Sequence, residues 1–251
     1  MIKVAIIGSG KLAQNLLRAC CQGEFEVTAL WARNTQKAEE LAQAFKVPIA
    51  DSLQAASVQT DMVFLAISDN AIEVIAREIN TQAIVVHCSG ILPATILRKH
   101  ANYGVFWPIQ TFSEHRILNF KDIPIAIEAS DEENKRILEV VADTLGQKAI
   151  MVSQTQRQNL HLSAVFVNNF SNHLFVLMQD FLGRNQLSFD NLLPLILETA
   201  EKLKVLSPAE AQTGPASRGD ENSLEIHRKI MANEPKLLDI YNLISKSITT
   251  K

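Results

Sequence analysis

Over roughly the first 150 residues, apolar and polar positions follow two alternating rhythms. Short β-branched runs at 4–7, 26–31, 62–67, 83–87, 104–107, 123–127 and 148–152 read as strands. Amphipathic stretches of helical length lie between most of them, at 11–22, 35–45, 70–79 and 131–145. Ser130 followed by Asp131, Glu132 and Glu133 reads as a capping box, with acidic groups at the positive end of the helix. Strands alternating with helices imply right-handed crossovers, hence an α/β fold with a mostly parallel, doubly wound sheet covered on both faces.

The pattern changes after residue 152. Residues 154–182 contain no Gly or Pro and repeat apolar positions at helical spacing, which predicts one helix of seven or more turns. Ser207-Pro208-Ala209-Glu210 reads as an N-cap, a proline at the first helical position and a capping glutamate. Two more helices are predicted around 222–232 and 235–247. The expected organisation is therefore an α/β domain over 1–152 and a smaller all-helical domain over 153–251.

Composition narrows the class. The chain has 251 residues, 47% of them apolar and 20% charged, which excludes disordered and fibrous classes. Twenty-four basic residues against 27 acidic ones give −3, the balance of a protein that binds neither nucleic acid nor anionic lipid. Uninterrupted apolar runs are too short to span a bilayer, and Met1-Ile2-Lys3 enters a strand with no signal peptide. Cys20 and Cys21 are adjacent and Cys88 stands alone, a pattern that builds neither a disulfide framework nor a zinc site. No metal is expected, and the expected compartment is the cytoplasm.

The chemistry begins where the first strand ends. Gly8-Ser9-Gly10-Lys11-Leu12-Ala13 has the G-x-G-x-x-A spacing of a dinucleotide cradle, with a strand before it and a helix after. Gly8 permits the tight turn, Gly10 lets phosphate approach the backbone, and Ala13 allows helix and strand to pack closely. The helix N-terminus supplies free N–H groups. An NAD site places a carboxylate at the end of the second strand. Here that strand ends Trp31-Ala32-Arg33-Asn34-Thr35, and a guanidinium suits a 2′-phosphate instead, so NADP is the expected cofactor. Lys37 is placed to assist. The alternative is a solvated Arg33 with Asn34 merely capping the next helix.

Ligands of such sheets bind beyond the carboxyl ends of the strands. Ser68, after the third strand, and Ser89-Gly90, after the fourth, are candidates for the nicotinamide ribose and ring. The competing assignments are Asp69 as a helix cap and Ser89-Gly90 as a plain turn. His87 ends an apolar strand and reads as a satisfied buried histidine, and Cys88 as an inert core thiol. At 100° per residue, His161, Val165, Asn168 and Asn172 share a face about 60° wide on the long helix. His161 on that face is either a proton donor or a histidine bonded to a backbone carbonyl. Arg218 lies in the glycine-rich stretch Gly214-Pro215-Ala216-Ser217-Arg218-Gly219-Asp220, where it is positioned to hold an anionic substrate or a cofactor phosphate, or to form a surface ion pair.

Together, Gly8-Ser9-Gly10, His87-Cys88-Ser89-Gly90, Pro108-Ile109-Gln110-Thr111-Phe112, the stretch from His161 to Phe170, and Gly214-Pro215 to Asp220 resemble a group of bacterial oxidoreductases. That group pairs a Rossmann-like domain with a helical domain of unknown function 2520. Its layout is similar to pyrroline-5-carboxylate reductases and deazaflavin-linked NADP oxidoreductases. The resemblance covers essentially the whole chain and implies NADP binding, a cleft between domains and a homodimer. Related sequences carry a histidine where Trp107 stands. β-Hydroxyacid dehydrogenases of this architecture use a lysine on the long helix, and no lysine occurs between Ala149 and Glu201.

The expected function is NADP(H)-dependent reduction of an imine or activated carbonyl of a small anionic metabolite. His161, Asn168 and Arg218 would act on the substrate. Gly8, Ser9, Gly10, Lys11, Leu12, Ala13, Arg33, Asn34, Ser68 and Ser89 would hold the cofactor. A non-catalytic NADP sensor and hydride transfer from a deazaflavin are the alternatives.

Overall fold

The computed structural model describes residues 1–114 and 116–250. Seven strands form one sheet: β1 Ile2–Ile7, β2 Phe25–Trp31, β3 Met62–Leu65, β4 Ile84–His87, β5 Tyr103–Pro108, β6 Ile125–Ala129 and β7 Ala149–Met151. Their order is β2-β1-β3-β4-β5-β6-β7, and every adjacent pair is parallel except β5 with β6. The connecting helices are α1 Lys11–Gln22, α2 Thr35–Phe45, the short α3 Leu53–Ala56, α4 Asp69–Glu78 and α5 Glu132–Leu145.

Side chains alternate across the central strands because successive residues point to opposite faces. Val4, Ile6, Phe64, Val86 and Phe106 pack with α1, α2 and α5 on one side. Ala5, Ile7, Val63, Leu65 and Val85 pack with α3 and α4 on the other. Both faces are covered, which is why these strands read as continuous apolar runs. β1 has β2 on one side and β3 on the other, so the topological switch, and the crevice it creates, lies at the carboxyl ends of β1 and β3.

One cap differs from expectation. Asp131, not Ser130, is the N-cap of α5, accepting from the Asn134 amide at 2.8 Å. The Ser130 hydroxyl donates to the Asp131 carboxylate instead. Ser207 and Glu210 do form the expected capping box.

By contacts the chain divides into two units, one ending at Val167 and the other starting at Asn168. Helix α6, Gln154–Ala164, belongs to the first unit. The expected uninterrupted helix is broken in register by a π-helical segment, Val165–Phe170, ahead of α7, Ser171–Arg184. In the second unit follow α8 Leu193–Lys202, α9 Pro208–Ala211, α10 Pro215–Arg218, α11 Glu221–Ile230 and α12 Pro235–Thr249. Helices α10, α11 and α12 cluster around Ala216, Leu224 and Met231, and His227 Nδ1 lies 2.8 Å from the Tyr241 hydroxyl.

Candidate active site

β1 ends at Ile7 and the chain bends at once. Gly8 sits at φ +135°, and its amide donates to the Trp31 carbonyl at 2.8 Å. A Cβ there would lie 2.2 Å from the Ala66 carbonyl oxygen, so backbone angle and close approach both demand glycine. Gly10 has no such internal reason. Its φ of −78° suits any residue, and a Cβ there would meet nothing. Gly10 is also the N-cap of α1, with no side chain closing the helix end and no acidic residue in the first turn. The leading amides of α1 are left for an external anion. Ala13, fully buried, lets α1 lie close on the sheet.

Around this bend opens a cavity of about 430 Å³. Gly8, Ser9, Gly10, Lys11 and Leu12 line it, with Arg33 and Asn34 from the end of β2 and Ser68 from the end of β3. Sequence reasoning missed the apolar wall made by Ile67, Ala71 and Ile75. Ala71 and Ile75 stand one turn apart on α4, within the stretch 70–79 that the sequence marks only as amphipathic. Their place in the helix that follows β3 was the available signal. Among the described residues no carboxylate pairs with the exposed Arg33. Asn34 Oδ1 caps α2 by accepting from the Lys37 amide at 3.0 Å. The Lys37 ammonium lies 3.0 Å from the Glu114 carboxylate, an exposed ion pair with which a cofactor phosphate would compete.

Ser68 and Ser89 separate here. Ser68 is the N-cap of α4 but makes no capping bond, and it lines the cavity. Ser89 is buried and outside that lining. Its hydroxyl donates to Asp69 Oδ2 at 3.0 Å and accepts from the Ile91 and Leu92 amides at 3.2 and 3.1 Å. A hydroxyl spent on knitting its own turn has no hydrogen left for a ribose, which corrects the expectation. Asp69, the alternative cap, is instead the first residue of α4.

His87 is the satisfied core histidine that the apolar strand implied. Nδ1 accepts from the Ser89 amide at 3.2 Å, so the ring proton sits on Nε2, 3.3 Å from the Pro93 carbonyl. Burial pulls its pKa down to about 4, against a smaller opposing effect of the Pro93 bond, and the nearby Arg157 charge lowers it further. The unfolded chain therefore takes up a proton between pH 6.5 and 4 that the folded chain refuses, so stability falls as pH falls through that window. Chemical denaturation at pH 7 and pH 4.5 should show about 2–3 kcal/mol more loss for the parent than for His87→Gln. Equal losses would remove His87 as the cause. Burial likewise pushes the Cys88 thiol up to about 12, keeping it protonated and inert.

His161 lies on α6 in a notch at the ends of β4 and β5. Its ring centroid is 5.7 Å from that of Trp107, at 47°. A Cβ on Gly90 would fall 2.4 Å from His161 Cδ2 and 2.8 Å from Trp107 Cε2, so glycine makes the room in which the two rings meet. Asn168 is exposed within the π-helical segment, whose i→i+5 turns break the 100° spacing on which the shared face was counted. Arg218 ends α10, exposed, between Gly214 at φ +113° and Gly219 at φ +67°. Among the described residues it forms no ion pair, and the neighbouring Asp220 caps α11 through the Ser223 amide and hydroxyl.

An uncapped helix end at the switch point of a parallel sheet, with an unpaired arginine at the tip of β2, defines a Rossmann-type dinucleotide-binding protein. A family of NADP oxidoreductases described as coenzyme F420-dependent matches residues 3–89, and the domain of unknown function DUF2520 matches residues 123–248. A Bacteroides fragilis protein described as an NADP oxidoreductase is 36% identical over 100% of this chain and 98% of its own, with a TM-score of 0.89. The chain belongs to this DUF2520-containing family of NADP-dependent oxidoreductases. Two more distant structures share the fold. A reductive aminase from Aspergillus terreus, in complex with NADPH and ethyl levulinate, is 16% identical over 99% of this chain and 94% of its own, with a TM-score of 0.73. The 1-pyrroline-5-carboxylate reductase of Streptococcus pyogenes is 14% identical over 100% and 99%, with a TM-score of 0.69. No curated protein matches the chain.

Proposed function

We propose that this protein reduces the C=N bond of an imine, or an activated carbonyl, on a small anionic metabolite, using NADPH. The observation that carries the reading is the open space above Gly10 beside uncapped α1 amides, within reach of an unpaired Arg33. The α1 amides would bind the pyrophosphate, Arg33 the 2′-phosphate, and Ala71 and Ile75 one face of the adenine. The cofactor supplies a hydride. His161 donates the proton to the imine nitrogen or carbonyl oxygen whose carbon takes the hydride; in the second unit, Arg218 has the charge to pair with an anionic group and Asn168 the amide to hydrogen-bond one. A protonated C=N is already electrophilic, which suits a long helix without lysine. The reductive aminase and pyrroline-5-carboxylate reductase likenesses support the imine reading.

Titration of NADPH and NADH, followed by the fluorescence of Trp31 at the cavity wall, tests the cofactor assignment. Arg33→Ala should weaken NADPH at least tenfold and leave NADH unchanged, the loss of one charge-assisted contact. Equal or tighter NADH binding by the parent would end it.

We also propose a homodimer. In the second unit Leu195, Leu197 and Leu243 are more than 60% exposed, and few of its apolar side chains are buried within one chain. A second copy of the same unit is the occupant that would cover such a surface. Light scattering should return twice the 27.9 kDa of one chain, and Leu197→Asp should lower that mass or the solubility. A monodisperse 27.9 kDa parent refutes the dimer.

A further inference from the structure

Arg157 has no place in the proposed chemistry, yet it is fully buried in the first turn of α6. Its Nη2 and Nε reach Glu128 Oε2 on β6 at 3.0 and 3.4 Å, and its Nη1 donates to the Ser89 carbonyl after β4 at 3.1 Å. A single guanidinium thus ties α6 to strands on both sides of β5, the strand that carries Trp107. A buried ion pair is a poor way to gain stability, since apolar side chains of similar volume do as well or better. A planar fork does, however, fix registry in a way that apolar packing does not. One turn further along α6, His161 sits against Gly90, the residue directly after the carbonyl that Arg157 holds. A one-residue slip of the helix would shift His161 by about 1.5 Å and swing it about 100°.

We propose that Arg157 is the positioning residue for His161: by clamping the Ser89 carbonyl and Glu128, it fixes the notch in which the imidazole faces Trp107. This rests on the proposed role of His161 for its catalytic meaning, but not for its test. A protonated imidazole quenches an adjacent indole, so Trp107 reports where His161 stands. The only other tryptophan is Trp31, and Trp31→Phe leaves Trp107 as sole reporter.

In that background, emission should fall in one step as pH is lowered, and His161→Asn should abolish the step. Arg157→Met should cut its amplitude by at least half or move its midpoint by at least half a pH unit. NADPH affinity, set on the far side of β4, should stay within threefold, and Arg157→Lys should recover part of the step. An unchanged step in folded Arg157→Met overturns the proposal, as does a parent step that His161→Asn leaves intact. If Arg157→Met does not fold, Glu128→Gln carries the same reading, and an unchanged step there overturns it. A step lost in Arg157→Met alongside undiminished turnover of His161→Ala would uphold the positioning and refute only the proton-donor role.

Discussion

Gly10→Val folds with the parent's Tm and loses NADPH affinity at least 100-fold, whereas Gly8→Ala loses stability and unfolds at a much lower temperature. The two glycines are two residues apart in one motif, and the structure assigns them opposite reasons for being glycine. At Gly10 the backbone is ordinary and a Cβ meets open space, so nothing within the chain objects to a side chain. What objects is the phosphate that must approach the α1 amides. An isopropyl group there removes charge-assisted bonds worth about 3 kcal/mol together, about two decades of affinity. At Gly8 an added methyl collides with the Ala66 carbonyl at 2.2 Å, and φ of +135° is strained for any L side chain. Overlap and strain together cost ~3 kcal/mol or more, a large share of ordinary domain stability. Thermal unfolding with and without NADPH separates the cases. Gly10→Val binding NADPH as tightly as the parent would show that the cavity is not the cofactor's.

His161→Ala lowers turnover by a factor of 10² to 10⁴ while NADPH affinity stays within threefold. A positioned proton donor contributes on that scale. His161 lies outside the cavity lining, against Gly90 and Trp107, so its removal leaves the cradle from Gly8 to Arg33 untouched. NADPH oxidation measured over a panel of small cyclic imines and keto acids provides the readout. Because an acid acts after binding, kcat should carry the loss and KM should change little. Undiminished turnover would strike His161 from the chemistry and leave the cofactor assignment standing.

How far the sequence led depends on the range of the interactions involved. The strands came out within two residues; the central ones, β3 and β4, are buried along their whole length on both faces and so need uninterrupted apolar runs. The amphipathic stretch 11–22 matched α1 at both ends, and the Gly8 turn followed from its spacing. The antiparallel entry of β6 left no local trace, since apolar runs carry no direction. Nor did the π-helical segment at 165–170. Ser89 and Lys37 were chosen by residue type, and each turned out to be engaged by a partner distant in sequence: Asp69 for one, Glu114 for the other.

Covalent order alone determined the alternation of strands and helices, the bare bend before α1 and the guanidinium at the tip of β2. These rest on backbone sterics and on periodicities that span a few residues. Only the folded chain decided which polar groups stay available. Whether a hydroxyl or an ammonium is engaged depends on groups 20 to 77 positions away in the chain. The same holds for Arg157, which reads as an ordinary charged residue on a helix until β4 and β6 close around it. Desolvation and hydrogen-bond satisfaction are set by neighbours in space, and those neighbours exist only once the sheet has formed.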